Sequence, residues 1–194
     1  MIESLDQIFL DEIIKKLKEN KIGIFPCDTI YGIIGVFNEE VLEKIYALKK
    51  RPKDNPFLLL IPNRSFLNQL TQEINKTHLE LINAAWPGPV TFIFKKNKKI
   101  PDLLTANKPT IGIRLPKFAP LNYLLDKLNQ PLISTSVNFA GVPAINNILD
   151  LPHKMFEELE FACFKISPCL MQESAIIDIL GREKKIIRPG SGYF

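Results

Sequence analysis

The chain has 194 residues, 46 % of them hydrophobic and 24 % charged, a balance that suits one packed domain and excludes global disorder. Its 25 lysines and arginines stand against 21 acidic residues, a formal charge of +4 that permits an anionic partner such as a nucleotide or RNA without requiring one. Apolar runs such as 57–61 are far too short to cross a bilayer, and an N-terminus opening on Glu3 and Asp6 lacks the pattern of a signal peptide, so the expected location is cytoplasmic with no membrane partner.

In chain order, residues 4–19 read as an amphipathic helix, with Ser4 and Gln7 as a capping box and Ile8, Ile13, Ile14 and Leu17 at helical spacing. A strand is expected at 22–25, and Asn38 caps a second helix through Val41, Leu42, Ile45 and Leu48. Residues 57–61 form an apolar run of strand length, and 77–85 a helix halted by Pro87-Gly88-Pro89. Strands follow at 90–94 and 110–115, separated by a loop at 97–109. A helix over 120–128 starts on Pro120; a short strand at 132–135, a helix at 149–159 and strands at 161–166, 174–179 and 184–188 close the chain, with Gly181 in a turn. Helices and strands mix without repeat or linker, which predicts a single α/β domain with a mixed sheet over residues 1–194.

Cys27, Cys163 and Cys169 show no paired CxxC spacing, which argues against a disulfide framework or a structural zinc site. His78 and His153 fall in polar surroundings and are expected at the surface. The chain has no P-loop, GxGxxG or HExxH pattern and no evident Ser/His/Asp or Cys/His arrangement, so an enzyme of this sequence works by positioning and electrostatics rather than a covalent nucleophile.

Five polar clusters interrupt the apolar pattern, most of them just after a strand, where ligands of α/β sheets gather. Residues 26–32, Pro-Cys-Asp-Thr-Ile-Tyr-Gly, suit a ligand loop or an ordinary strand-to-helix turn. Lys49, Lys50, Arg51 and Lys53 are held between a helix end and Pro56, where they face a polyphosphate or merely complement the helix dipole. Alternation puts Thr110, Gly112 and Arg114 on one strand face, with Gly112 leaving room for a ligand and Arg114 offering a fork for a carboxylate; a solvent-facing side fits equally well. The hydroxyls and amide of Ser134-Thr135-Ser136-Val137-Asn138-Phe139-Ala140-Gly141 suit phosphate, carboxylate or a turn, and Arg188-Pro189-Gly190-Ser191-Gly192 suits a ligand or a flexible tail. Lys95, Lys96, Lys98 and Lys99 form a further cluster, read as a solvated strand end or an RNA or phosphate contact.

Taken in order, these clusters resemble the YrdC-type threonylcarbamoyl-AMP synthase family: Phe-Pro-Cys-Asp-Thr-Ile-Tyr-Gly at 25–32, Lys-Lys-Arg-Pro at 49–52, Trp-Pro-Gly-Pro-Val-Thr at 86–91, Gly-Ile-Arg-Leu-Pro at 112–116, Thr-Ser-Val-Asn at 135–138 and Ile-Arg-Pro-Gly at 187–190. The resemblance implies a twisted mixed sheet flanked by helices with a basic concave face, in the family's short, single-domain form. It also implies formation of threonylcarbamoyl-AMP and pyrophosphate from L-threonine, bicarbonate and ATP, with the product passed to a separate tRNA threonylcarbamoyl-transferase complex and possible contact with tRNA itself.

Carried over by position, the resemblance gives Thr29, Arg114, Ser136 and Ser174 to threonine, and Arg51, Asn55, Thr110, Asn138 and Arg188 to ATP, with Lys49 as a further phosphate contact. Lys49 and Arg51 carry the electrostatic part of catalysis. Mg²⁺ is expected to travel with ATP, with no dedicated protein cage. The chain departs from the family pattern at Cys27, Leu60, Val137, Asn146 and Ala175, swaps most of which keep size but remove polar groups. The alternative from another class is a non-catalytic RNA-binding module of the same fold, and a third is a module transferring carbamoyl groups from carbamoyl phosphate.

Overall fold

The computed structural model describes residues 4–139, 141–142, 144–145, 150–168, 170–181 and 183–191, with side chains from residue 7 onward. Ala140, Asn146, Leu149, Cys169, Gly192 and the Ser4 side chain of the expected capping box lie outside the described residues.

Helix α1 spans Ser4–Lys18 and buries Leu10, Ile13, Ile14 and Leu17, spaced i, i+3, i+4, i+7. Ile8, expected on that face, is 61 % exposed, because it lies two residues and so about 200° of helix turn from Leu10. Strand β1 (Gly23–Pro26) then turns back into β2 (Tyr31–Val36), the turn closed by the Cys27 amide donating to the Ile30 carbonyl at 3.1 Å. The expected strand-to-helix turn at 26–32 is therefore a strand-to-strand turn. Every residue of β2 is buried. Gly35 lets helix α2 (Glu39–Lys49) pack closely, since a Cβ there would sit 2.4 Å from Val41. Asn38 caps α2 by accepting the Val41 amide at 2.9 Å.

The remaining elements follow as β3 (Leu58–Leu60), a 3₁₀ turn (Arg64–Phe66) running into the short α3 (Leu67–Leu70), α4 (Lys76–Ala85), β4 (Val90–Lys95), β5 (Thr110–Arg114), α5 (Ala119–Leu128) and β6 (Leu132–Ser136). Then come α6 (His153–Glu157), β7 (Phe161–Ala162), β8 (Ala175–Asp178) and β9 (Lys185–Arg188). The loop between β4 and β5 carries a 3₁₀ turn at Asp102–Thr105, and Lys96 turns inward there to pair with Asp102 at 2.5 Å, so the lysine cluster is not wholly solvated. The helix expected over 149–159 is described only as α6, and the strand expected over 161–166 only as β7. His153 is exposed as expected, whereas His78 is partly buried beside its N-cap Asn75.

The strands join one nine-stranded sheet in the order β7-β1-β2-β6-β3-β5-β4-β8-β9. Pairs β1–β7, β3–β5 and β4–β8 are parallel and the others antiparallel, the mixed sheet that was expected. Registers Gly32↔Ser136, Ser134↔Leu58↔Gly112 and Thr91↔Ile176↔Arg188 fix which residues share a face. Arg114 lies two residues beyond Gly112 and so on the same face, while Ile33, Ile111 and Ile113 turn to the other. Helix α2 packs on that opposite side through Val41 against Gly35, leaving the Gly32–Arg188 row free to carry the site.

Candidate functional site

A cleft of about 640 Å³, counting its open mouth, lies along this row. Residues far apart in sequence reach it because the sheet order sets β2, β6, β3, β5, β8 and β9 across one surface. Thr29, Arg51, Arg114, Ser136, Ser174 and Arg188, all expected in a ligand site, line it together. Lys49, Asn55, Thr110 and Asn138 are not in the lining. The clusters thus converge on a sheet face rather than only at strand ends.

Arg114 is buried at the end of β5, with 2 % of its surface exposed. Its Nη1 donates to Thr29 Oγ1 at 3.1 Å, and its Nη2 lies 3.3 Å from Asp28 Oδ1. That ion pair is too bent to form a hydrogen bond, and both Asp28 Oδ1 and Arg114 Nε are buried without a hydrogen-bond partner among the described residues. Asp28 Oδ2 accepts the Lys117 amide at 3.3 Å, which ties the turn after β1 to the exit of β5. Beside this pair, Cys27 is fully buried; burial pushes its thiol up to about 11, so it is neither thiolate nor nucleophile near neutral pH.

Arg188 reaches in from β9 and holds the segment before β8. Its Nε and Nη2 donate to the Ser174 carbonyl at 3.1 and 3.0 Å, and Nη2 also to Ser174 Oγ at 3.2 Å. Ser174 Oγ lies 3.0 Å from Thr91 Oγ1, and Arg188 Nη1 lies 2.9 Å from Glu173 Oε2. The tail clasps the same segment: a Cβ at Gly190 would fall 2.3 Å from the Ala175 nitrogen, and the Ser191 amide donates to the Glu173 carbonyl at 3.0 Å.

Arg51 stands in the turn after α2 with its plane over the Phe57 ring at 4.8 Å. Nε donates to the Asn55 carbonyl at 3.0 Å, and Nη2 to Asn55 Oδ1 at 2.7 Å and the Pro56 carbonyl at 2.9 Å. Asn55 is therefore the residue that aims Arg51. Among the described residues Arg51 has no carboxylate partner, unlike Arg114 and Arg188. Burial pulls the guanidinium groups of Arg51 and Arg188 below their ordinary value.

Lys49, expected to face phosphate, turns the other way. Only 1 % of it is exposed, and its ammonium donates to the carbonyls of Ser136 at 2.5 Å and Asn138 at 2.8 Å and to Asn138 Oδ1 at 2.7 Å. Asn138 Oδ1 also accepts Ser136 Oγ at 2.7 Å, and its Nδ2 donates to the Val142 carbonyl. Thr110 shares the Arg114 face at the far end of β5, four residues and about 13 Å away. Gly112 faces Thr91 and Leu58 rather than a ligand space.

Leu60, one of the departures, is fully buried opposite Arg114 in register, and Val137 and Ala175 are buried too. Asp28, Thr91 and Glu173 were not singled out from the sequence. Asp28 and Thr91 lay within quoted runs, at 26–32 and 86–91, but nothing in the sequence assigned either a partner or marked Glu173, since the partners of Thr91 and Glu173 arrive through strand pairing.

The family model described as Sua5_yciO_yrdC, telomere recombination, matches residues 15–190. The threonylcarbamoyl-AMP synthase of Pyrococcus abyssi is 26 % identical over 175 residues, covering 90 % of this chain and 52 % of that protein. The threonylcarbamoyl-AMP synthase of Wigglesworthia glossinidia brevipalpis is 30 % identical over 150 residues, 75 % of this chain and 77 % of that one. The chain thus spans about half the length of the first relative and about three quarters of the second. The crystal structure of P. abyssi Sua5 complexed with L-threonine superposes with a TM-score of 0.87 at 25 % identity, over 93 % of this chain and 54 % of that one.

Proposed function

The chain belongs to the Sua5/YciO/YrdC family, and from that membership we propose that it is a threonylcarbamoyl-AMP synthase, a nucleotidyltransferase joining L-threonine, bicarbonate and ATP. The observation that carries this reading is the meeting of Arg51, Arg114 and Arg188 with Thr29, Ser136 and Ser174 along one cleft. A substrate pair made of an amino acid and a triphosphate needs a carboxylate anchor beside phosphate anchors. The names of the P. abyssi and W. glossinidia relatives supply the same reading.

In this proposal Arg114 and Thr29 receive the threonine carboxylate, and Ser174 lies against the same ligand. Arg51, with its Nη1 hydrogens unengaged among the described residues, meets the phosphates, and Asn55 holds it there. Thr110 lies on the same face within the length of an extended nucleotide. The threonine amine adds to bicarbonate with loss of water, giving a carbamate. A carbamate oxygen then attacks the α-phosphorus of ATP, and pyrophosphate leaves. The chain contributes alignment of the three reactants and countercharge for the leaving group.

Among the described residues no three His, Cys, Asp or Glu come together as a metal-holding group, and Glu173 is the one carboxylate in the cleft lining. A Mg²⁺ ion carried by the nucleotide phosphates would fit such a lining and would offset their charge without a dedicated protein cage. The product would pass to a tRNA threonylcarbamoyl-transferase complex. No described helix is long and apolar enough to cross a membrane.

The test measures pyrophosphate release from ATP with threonine and bicarbonate omitted in turn. Release that needs both is the expected result. Release independent of threonine overturns the reading.

A further inference from the structure

Lys49 sits on the last turn of α2 and its ammonium makes three hydrogen bonds, yet it is not in the cleft lining. An ammonium group has three N–H donors and no acceptor. All three are spent here, on the Ser136 carbonyl, the Asn138 carbonyl and Asn138 Oδ1, so none is left for a phosphate. The acceptors are not incidental. Ser136 lines the cleft, and Asn138 collects bonds from Lys49, from the Ser136 hydroxyl and, through its own amide, at the Val142 carbonyl.

The ammonium is thus the centre of a knot between the end of α2, the exit of β6 and the loop after it. Arg51, two residues further on, is aimed by the turn that leaves the same helix end. Removing the ammonium would leave two carbonyls and one amide oxygen with a donor missing, and buried acceptors without donors drive local rearrangement.

We infer that Lys49 is a positioning residue, acting on bound nucleotide through Ser136 and Asn138 rather than by touching phosphate. The inference rests on the proposed synthase reading for its ligand, but not for its geometry. Burial and the neighbouring Arg51 push the ammonium down to about 7, while Glu173 pulls the other way, as expected for a charge held inside the protein rather than in an open phosphate site.

A double-mutant cycle separates the two roles. ATP affinity is measured without turnover for wild type, Lys49→Met, Asn138→Ala and the double variant. A positioning lysine predicts a loss of about tenfold for each single variant and no further loss in the double, because the second change removes a knot already undone. Losses that multiply to about a hundredfold overturn the inference and return Lys49 to direct phosphate contact.

A second measurement keeps the test apart from the enzyme's identity. Hydrogen exchange of the amides at 136–139, 141 and 142 in the unliganded protein should accelerate in Lys49→Met; unchanged protection there overturns the inference even if synthase activity is found. Should Lys49→Met fail to fold, the Lys49 titration is followed by NMR in wild type and Asn138→Ala. Loss of one acceptor should shift that titration to lower pH, and an unmoved titration counts against the knot.

Discussion

The Glu173 carboxylate lies 2.9 Å from Nη1 of Arg188, so one guanidinium group of the cleft meets any anionic ligand already paired. Arg114 is paired as well, with Asp28, which leaves Arg51 as the cleft arginine without a carboxylate partner among the described residues. The electrostatic welcome for a triphosphate is therefore smaller than a count of arginines suggests.

Replacing Glu173 should strengthen nucleotide binding. Both partners of the pair are about one-third exposed, so solvent screens the effect and Glu173→Gln is expected to tighten ATP by only about threefold. Titration of ATP at low and high salt checks this, and the gain should shrink as salt rises. A loss of affinity in magnesium-containing buffer alone would instead mark Glu173 as a donor to the metal.

For Arg114 the ion pair with Asp28 and the threonine contact proposed above should separate cleanly. Arg114→Ala leaves Asp28 buried and unpaired, at a cost of about 3 kcal/mol in folding stability, along with loss of threonine binding. Pairing Arg114→Met with Asp28→Asn should restore most of the stability and none of the threonine affinity. Chemical denaturation and threonine titration on the same samples make the comparison.

The buried ammonium of Lys49 gives stability a pH dependence of known sign. Its folded pKa of about 7 lies below the ordinary 10.5, so between those values the unfolded chain holds the extra proton. Stability contributed by this group therefore rises with pH across that window, by up to about 1.4 kcal/mol per pH unit, and the penalty is fully present below pH 7. Unfolding free energies measured from pH 7 to 10 should show this slope in wild type relative to Lys49→Met. A flat difference would mean that the ammonium keeps an ordinary affinity for its proton.

Gly190 should tolerate no side chain. Its missing Cβ would press on backbone atoms at 173–175 within 2.4 Å, so Gly190→Ala must push the Ser174 segment away from Arg188. The expected result is a rise of about tenfold in threonine KM with a smaller change for ATP. Steady-state kinetics with each substrate varied separately would register it.

Much of the architecture could be read in advance because the apolar run of β3, the β-branched residues of β4, β5 and β8 and the amphipathic spacing of α1, α2 and α5 are strong local signals. Strand β2 escaped notice: its Tyr-Gly-Ile-Ile-Gly-Val run is buried on both faces and so lacks alternation, and two glycines interrupt its strand-forming residues. The residues that gather at the cleft were legible as ordered clusters. Their directions were not. Lys49 and Arg51 are two positions apart on one basic turn, and only the packing of α2 against the exit of β6 decides that the first points inward and the second outward. Likewise Glu173 and Thr91 acquire meaning only through the β4–β8 and β8–β9 pairings.

The row across the sheet draws Thr29 from the first turn of the sheet and Arg188 from its last strand. During synthesis the cleft accordingly stays incomplete until residues 185–191 have left the ribosome, however early the strands before them have paired. A nascent chain can therefore pair most of its strands and pack most of its core before the last of the cleft's arginines is in place.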